Sequence, residues 1–141
     1  MSQNSRQASR GSVSDRARFL AEMNHEVPWA RLVAMVTPYY PKPREGRECI
    51  PLERMLRIYL VQQWFGLSDD AVEQSLYNSD TLSSFVGADR ITEVIPDPAT
   101  IRKFRHLLKR RALADRLIDE AARTRVKSAL LASLRHVIRL P

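Results

Sequence analysis

Cysteine, glycine and, toward the C-terminus, acidic residues are scarce in this 141-residue sequence. Cys49 is the only cysteine, which excludes an internal disulfide and favours a reducing compartment, the cytoplasm. Cys49 and the three histidines do not have metal-ligand spacing, so we predict no metal ion and no cofactor. No apolar run approaches the ~20 residues that span a bilayer, and the polar N-terminus is unlike a signal peptide, so we predict no membrane contact.

Sequence patterns of sheets and nucleotide-binding loops are also missing. The chain has four glycines and contains no GxGxxG or Walker pattern, and no segment alternates apolar and polar residues as a half-buried strand does. A hydrophobic content of 44% is enough for one buried core in a chain of this length. The predicted fold is therefore all-α: a compact multi-helix domain with a helix-turn-helix-like arrangement and a C-terminal amphipathic helix.

Apolar spacing, capping residues and breakers locate the helices. The most apolar of them begins after Pro51 and is expected to be the central helix, ended by Gly66, with Glu53, Arg54 and Arg57 in water. The last helix is expected after Arg111, with Leu113 as the first residue of its apolar pattern and a kink near Thr124. The helices predicted before it cover residues 14–25, 28–37, 51–65, 68–77, 79–86 and a segment that begins at Asp97.

Positive charge is concentrated in the last third of the chain. The formal net charge is +7, which excludes an acidic DNA mimic and favours a polyanionic partner. Residues 97–141 contain twelve Lys and Arg against four Asp and Glu, whereas residues 1–96 contain eleven against twelve. A polyanion is therefore expected to meet the C-terminal part of the domain.

The segment PDPATIRKFRHLLKRR, residues 96–111, has the strongest amphipathic pattern of the chain. Helical spacing gathers four apolar side chains on one side, where they are expected to pack, and five basic or imidazole side chains on the other. A rigid cationic helix suits phosphates and fits a DNA major groove, although a merely solvated helix has the same pattern. The candidate nucleic-acid-binding residues are Arg102, Lys103, His106, Lys109 and Arg110, with Arg105 on the flank, Arg54, Arg57, Arg6 and Arg10 assisting, and His106 as a candidate base reader.

Three regions are predicted along the chain: a flexible basic arm (1–13), a helical domain (14–120) and a divergent basic C-terminal helix (121–141). The C-terminal helix carries an apolar stripe that a single domain of this size can leave exposed. This stripe is the candidate contact for a homodimer or a protein partner, and folding back onto its own core is the alternative. It consists of Val126, Leu130, Leu134 and Val137.

Three runs in this sequence carry a family resemblance: LVAMVTPYYPKP (32–43), IPLERMLRIYLVQQWFGLSDDAVEQSLYNS (50–79) and IPDPATIRKFRHLLKRRALADRL (95–117). They resemble the N-terminal domain of bacterial insertion-sequence transposases of the IS five family, over roughly residues 20 to 120. The resemblance implies a helical domain that recognises the double-stranded DNA of transposon ends. In that family a catalytic domain of ribonuclease H-like fold follows, whose three acidic residues hold two metal ions.

The chain departs from the family pattern at its C-terminal end. The segment AARTRVKSALLASLRHVIRLP, residues 121–141, contains no acidic residue where the family enters its first catalytic strand. Two-metal chemistry requires convergent carboxylates, so we expect no enzyme activity and no catalytic residues. The expected function is a non-catalytic, transposase-derived DNA-binding protein that acts as a repressor or regulator. The alternative is a protein-binding regulator or inhibitor of a host or phage nucleic-acid machine, built on the same scaffold.

Overall fold

The computed structural model describes residues 15–42, 49–88 and 94–138, with side chains through Leu134 except at Ser128. Every regular element in these ranges is helical, so the all-α prediction is confirmed. The predicted arm (1–13) lies outside the described residues, and so does most of the predicted loop between Pro41 and Cys49. No helix in the described ranges is both long and apolar enough to cross a bilayer.

The described residues form seven α-helices, and their bounds agree with the predicted bounds to within about two residues. The C-terminal helix is continuous through Thr124, and the predicted boundary at residue 121 stays a prediction. A single 3₁₀ turn, Thr37–Tyr39, follows the second helix. The helices are α1 (15–26), α2 (Trp29–Val36), α3 (Leu52–Phe65), α4 (Asp69–Asn78), α5 (Asp80–Val86), α6 (Pro98–Arg110) and α7 (Ala114–Ile138).

Helix α3 is the centre of the core, as its apolar sequence predicts. It packs against α2, α4, α5 and α6, so neighbouring helices cover most of its circumference. A helix that is surrounded in this way buries residues on every side instead of one stripe. Its buried apolar side chains are Met55, Leu56, Ile58, Tyr59, Leu60 and Val61.

The prediction that Arg54 and Arg57 stay in water is wrong. Arg54 is only 9% exposed, and the side chain of Arg57 is 13% exposed. Their guanidinium groups donate to carbonyl oxygens at the C-terminal end of α5, Arg54 to Gly87 and Arg57 to Phe85, both at 3.0 Å. Helix α5 packs over this side of α3. The carbonyl groups of its last turn have no partner within the helix and are favourable acceptors for cationic side chains.

Gly66 ends α3 with a left-handed backbone, φ 63°, as predicted from sequence. An added Cβ would meet no atom within 4 Å, so only the backbone conformation opposes a side chain here. We expect Gly66→Ala to lower the free energy of unfolding by about 1 kcal/mol in urea titrations. Gly66→Asn is the matched control. Asparagine tolerates this conformation, so we expect a smaller decrease in the free energy of unfolding. Equal losses for both variants would contradict the backbone explanation.

Helix α6 begins at a well-formed cap and lies against the core along one side. The carboxylate of Asp97 accepts a hydrogen bond from the Thr100 amide at 2.7 Å, and Pro98 occupies the first helical position. Ile101, Phe104 and Leu108 are buried, and α6 packs against α3, α4 and α7. Residues 87–97 separate α5 from α6, which is longer than a tight helix-turn-helix connection, and the helix-turn-helix-like arrangement stays a prediction.

Candidate nucleic-acid interface

The outer side of α6 carries five exposed basic or imidazole side chains, which we call the basic face. At 100° per residue these five positions fall within an arc of about 120°, opposite the buried Ile101, Phe104 and Leu108. Helix α6 has 13 residues, a length of roughly 20 Å, so the basic face is a straight, rigid strip. Its members are Arg102, Lys103, His106, Lys109 and Arg110, all of them exposed as expected.

Carboxylates lie near only one end of the basic face. Within the described residues, none of the five side chains forms an ion pair. The pKa of Asp97 is lowered mainly by its hydrogen bonds with Thr100 and to a lesser degree by the charge of Lys103. Lys109 and Arg110 lie in the last turn of α6, where the helix dipole favours cations. The C-terminal half of the basic face is therefore the least compensated part of it.

Arg105, predicted on the flank of this surface, is instead joined to α4. Its Nε donates to Asp69 Oδ1 at 2.9 Å and its Nη2 donates to Asp69 Oδ2 at 2.7 Å. Gln62 Nε2 donates to the same carboxylate at 2.9 Å. This bidentate pairing offsets the charge of Arg105 and joins α6 to α4, so Arg105 is less available to a phosphate than the exposed residues of the basic face.

The pair between Asp69 and Arg105 has no local signal in the sequence. The two residues are 36 positions apart, and the place of Asp69 in the first turn of α4 predicts only a favourable interaction with the helix dipole. Only the contact between α4 and α6 brings them together. Gln62, which is 4% exposed and donates to the same carboxylate, was missed for the same reason.

The pair between Asp69 and Arg105 makes stability depend on pH. Hydrogen bonds from Arg105 are the largest cause of the lowered pKa of Asp69, so the stabilisation is present at neutral pH and is lost as pH falls below the usual aspartate range toward the lowered pKa. We expect Asp69→Asn to lower the free energy of unfolding at pH 7 by about 1 to 2 kcal/mol, the low end for charged hydrogen bonds because the Arg105 side chain is 37% exposed. Urea titrations from pH 7 to pH 3 should show the difference shrinking with acidification. A constant difference would contradict the assigned pair.

Arg54 and Arg57 do not contribute free cations to this interface. The Arg57 guanidinium lies 4.1 Å from the ring centroid of Trp29 and 5.0 Å from that of Phe85, and it also donates to Asn24 Oδ1 at 2.8 Å. Burial is the largest cause of the lowered pKa of Arg57. Both arginines hold α3 against its neighbours, and the prediction that they assist at phosphates lacks support. Arg6 and Arg10 lie outside the described residues.

The apolar stripe of α7 is exposed along its described length. Val126 is 59% exposed, Leu130 61% and Leu134 57%, while the side chain of Val137 lies outside the described part. Leu131, at 48%, widens the stripe and was not predicted. The expected alternative, folding back onto the core, is wrong for these side chains. Among the described side chains of α7, Ala121 is the last buried one.

Comparison with known proteins identifies a family for this chain. No solved structure matches it. In the described part of the chain, no three His, Cys, Asp or Glu side chains gather as a metal site would require. The family model of a transposase domain (DUF772) matches residues 8–107, which cover α1 to nearly the end of α6 and include three of the five residues of the basic face, Arg102, Lys103 and His106. The chain therefore belongs to the transposase domain family DUF772.

Proposed function

We propose that this protein is a transposase-derived DNA-binding protein that occupies a duplex site without cutting it and thereby acts as a repressor or regulator. The observation that carries the proposal is the basic face of α6, which is exposed, rigid and free of ion pairs within the described residues. An α-helix fits the major groove of B-DNA, and phosphates on both sides of the groove attract Arg and Lys. Membership of a transposase domain family supports DNA as the polyanion.

Within this proposal the side chains of the basic face have different tasks. Arg102, Lys103, Lys109 and Arg110 contact phosphates, and His106, near the middle of the arc, faces the floor of the groove. Arg105 holds the helix at its angle through Asp69. The domain as a whole then acts as a rigid support that fixes α6 relative to the duplex.

The proposed absence of cleavage is supported by the contacts of several carboxylates. Asp69 is held by Arg105, Asp97 caps α6, and Glu120 pairs with Arg31 at 2.9 Å. Carboxylates engaged in this way do not converge on a common point where metal ions could bind. We expect supercoiled plasmid to stay intact in the presence of Mg²⁺ or Mn²⁺, and nicking that survives further purification would contradict this part of the proposal.

The test of DNA binding is a polarisation titration of a labelled duplex at several salt concentrations. Four phosphate contacts predict that the logarithm of the affinity falls with the logarithm of salt with a slope of about −3 to −4. A slope near zero would mean that the basic face does not meet phosphates. The absence of binding at low salt would overturn the proposed function.

A second function, protein binding through α7, is favoured by a different observation. The exposed stripe of Val126, Leu130 and Leu134 points about 160° away from the buried side of the same helix, marked by Leu117 and Ala121. The stripe is therefore an apolar surface separate from the side of α7 that packs on the core. Val126, Leu130 and Leu134 are each more than half exposed, and an apolar helical surface of this kind is stabilised in water when a partner covers it.

The double variant Leu130→Ser and Leu134→Ser separates the two functions. If protein binding is the function, sedimentation should show a loss of self-association or of a bound partner, while the helical domain stays folded. If DNA binding is the function, the salt-dependent affinity should be unchanged by the variant.

A further inference from the structure

An exposed aromatic side chain lies beside the C-terminal end of α6. Tyr39, at the end of the 3₁₀ turn, is 43% exposed, unlike the buried aromatic residues of the core. The guanidinium carbon of Arg111 lies 4.8 Å from the centroid of the Tyr39 ring. Arg111 directly follows Arg110, so this stacked pair borders the least compensated end of the basic face.

The backbone that carries Tyr39 is held in place on both sides. The ring of Tyr40 meets that of Phe104 edge to face, with centroids 6.0 Å apart, and the Tyr40 hydroxyl donates to the carbonyl of Ile50. Prolines at positions 38 and 41 further restrict the segment. Tyr39 is therefore presented to solvent from a fixed position, which reduces the entropy lost when something stacks on it.

Arg111 contributes a positive charge that remains available. It is exposed, and no carboxylate pairs with it among the described residues. A guanidinium that stacks on a ring uses its flat face, and its N–H groups still point outward in the plane. Lys42, also exposed, follows three residues after Tyr39. Tyr39 and Arg111 thus combine a flat aromatic surface with N–H donors for an anion.

We propose that Tyr39 and Arg111 form a binding site for an unpaired DNA nucleotide. The base stacks on the aromatic ring or the guanidinium plane, and the neighbouring phosphate accepts hydrogen bonds from Arg111 and meets the charge of Lys42. Bases inside a duplex stack on each other and offer no free face, so the site selects a strand overhang or a displaced nucleotide. This inference rests on the proposed function, because the adjoining duplex lies along the basic face.

The test compares a blunt labelled duplex, the same duplex with a three-nucleotide overhang containing 2-aminopurine, and the overhang strand alone. We expect the overhang to raise affinity about tenfold and to quench 2-aminopurine, because stacking on an aromatic residue stabilises an unpaired base. Tyr39→Ala should remove both effects and leave blunt-duplex binding unchanged. Tyr39→Phe keeps the ring and should retain them. Tyr77→Ala, at an exposed tyrosine of α4, is the matched control and should behave as wild type.

The outcomes separate this inference from the function on which it rests. Equal affinity for blunt and overhang duplexes, with no Tyr39-dependent quenching, overturns the nucleotide site and leaves duplex binding standing. If the protein binds only the single strand and neither duplex, and Tyr39→Ala loses this binding, the nucleotide site is supported and duplex recognition is overturned. No binding of any of the three DNAs overturns both. Thermal unfolding followed by circular dichroism shows that each variant is folded.

Discussion

Replacing Arg102, Lys109 and Arg110 together by alanine is expected to weaken duplex binding roughly 100-fold at about 0.15 M salt. Each of the three side chains is exposed and makes no ion pair within the described residues, so each is free to neutralise a phosphate. Losing three contacts should also make the salt slope shallower by about 2.7, since each contact contributes about −0.9. Polarisation titrations at four or more salt concentrations measure both quantities.

The matched control removes the same charge from a different surface. Arg116, Arg123 and Lys127 are exposed on α7, and replacing them by alanine changes the net charge equally. Long-range attraction should fall in both variants, but only the first should lose most of the affinity and of the salt slope. Similar losses in both variants would mean that net charge alone governs binding and that α6 has no special role.

Replacing Arg57 by alanine is expected to lower the free energy of unfolding by about 2 to 4 kcal/mol. The side chain donates to the Phe85 carbonyl and to Asn24, and its guanidinium lies 4.1 Å and 5.0 Å from the ring centroids of Trp29 and Phe85. Its loss removes these contacts and leaves the Phe85 carbonyl without this donor in the packed interior. Urea unfolding followed by tryptophan fluorescence measures the change.

Two further variants test whether the stability that Arg57 contributes depends on its planar guanidinium and on its buried position. Arg57→Lys keeps the charge but has no planar group to stack, so we expect it to recover only part of the stability. Arg125→Ala removes another stacked arginine, whose guanidinium lies 5.2 Å from the Phe19 ring on the exposed surface, and should change stability by less than about 1 kcal/mol. A loss for Arg57→Ala as small as that for Arg125→Ala would contradict the assigned role of Arg57.

The elements of the fold could be predicted because their signals are local. Ser68, Ser79 and Asp97 each accept the amide hydrogen bond that begins a helix, and Gly66 and Gly87 each end one with a positive φ. These interactions span only a few residues, so the sequence contains both partners. The opposite sides of α6 follow from helical spacing for the same reason.

The candidate site could be predicted only in part. The exposed side chains of α6 follow from its amphipathic pattern, whereas Arg54, Arg57 and Arg105 have the same residue type and different surroundings. An arginine on a helix carries no local indication of whether another helix will cover it. The pairing of Tyr39 with Arg111 was missed because the two residues are far apart in sequence.

The sequence by itself determined the helical class, the helix ends and the concentration of positive charge on α6, because each depends on residues within one or two helical turns. The tertiary structure alone decided which arginines remain free. Helix α5 covers Arg54 and Arg57, and α4 brings Asp69 to Arg105. The physical reason is that the N–H groups of an arginine are available to a phosphate only where no other part of the chain supplies a carboxylate or a carbonyl that accepts from them.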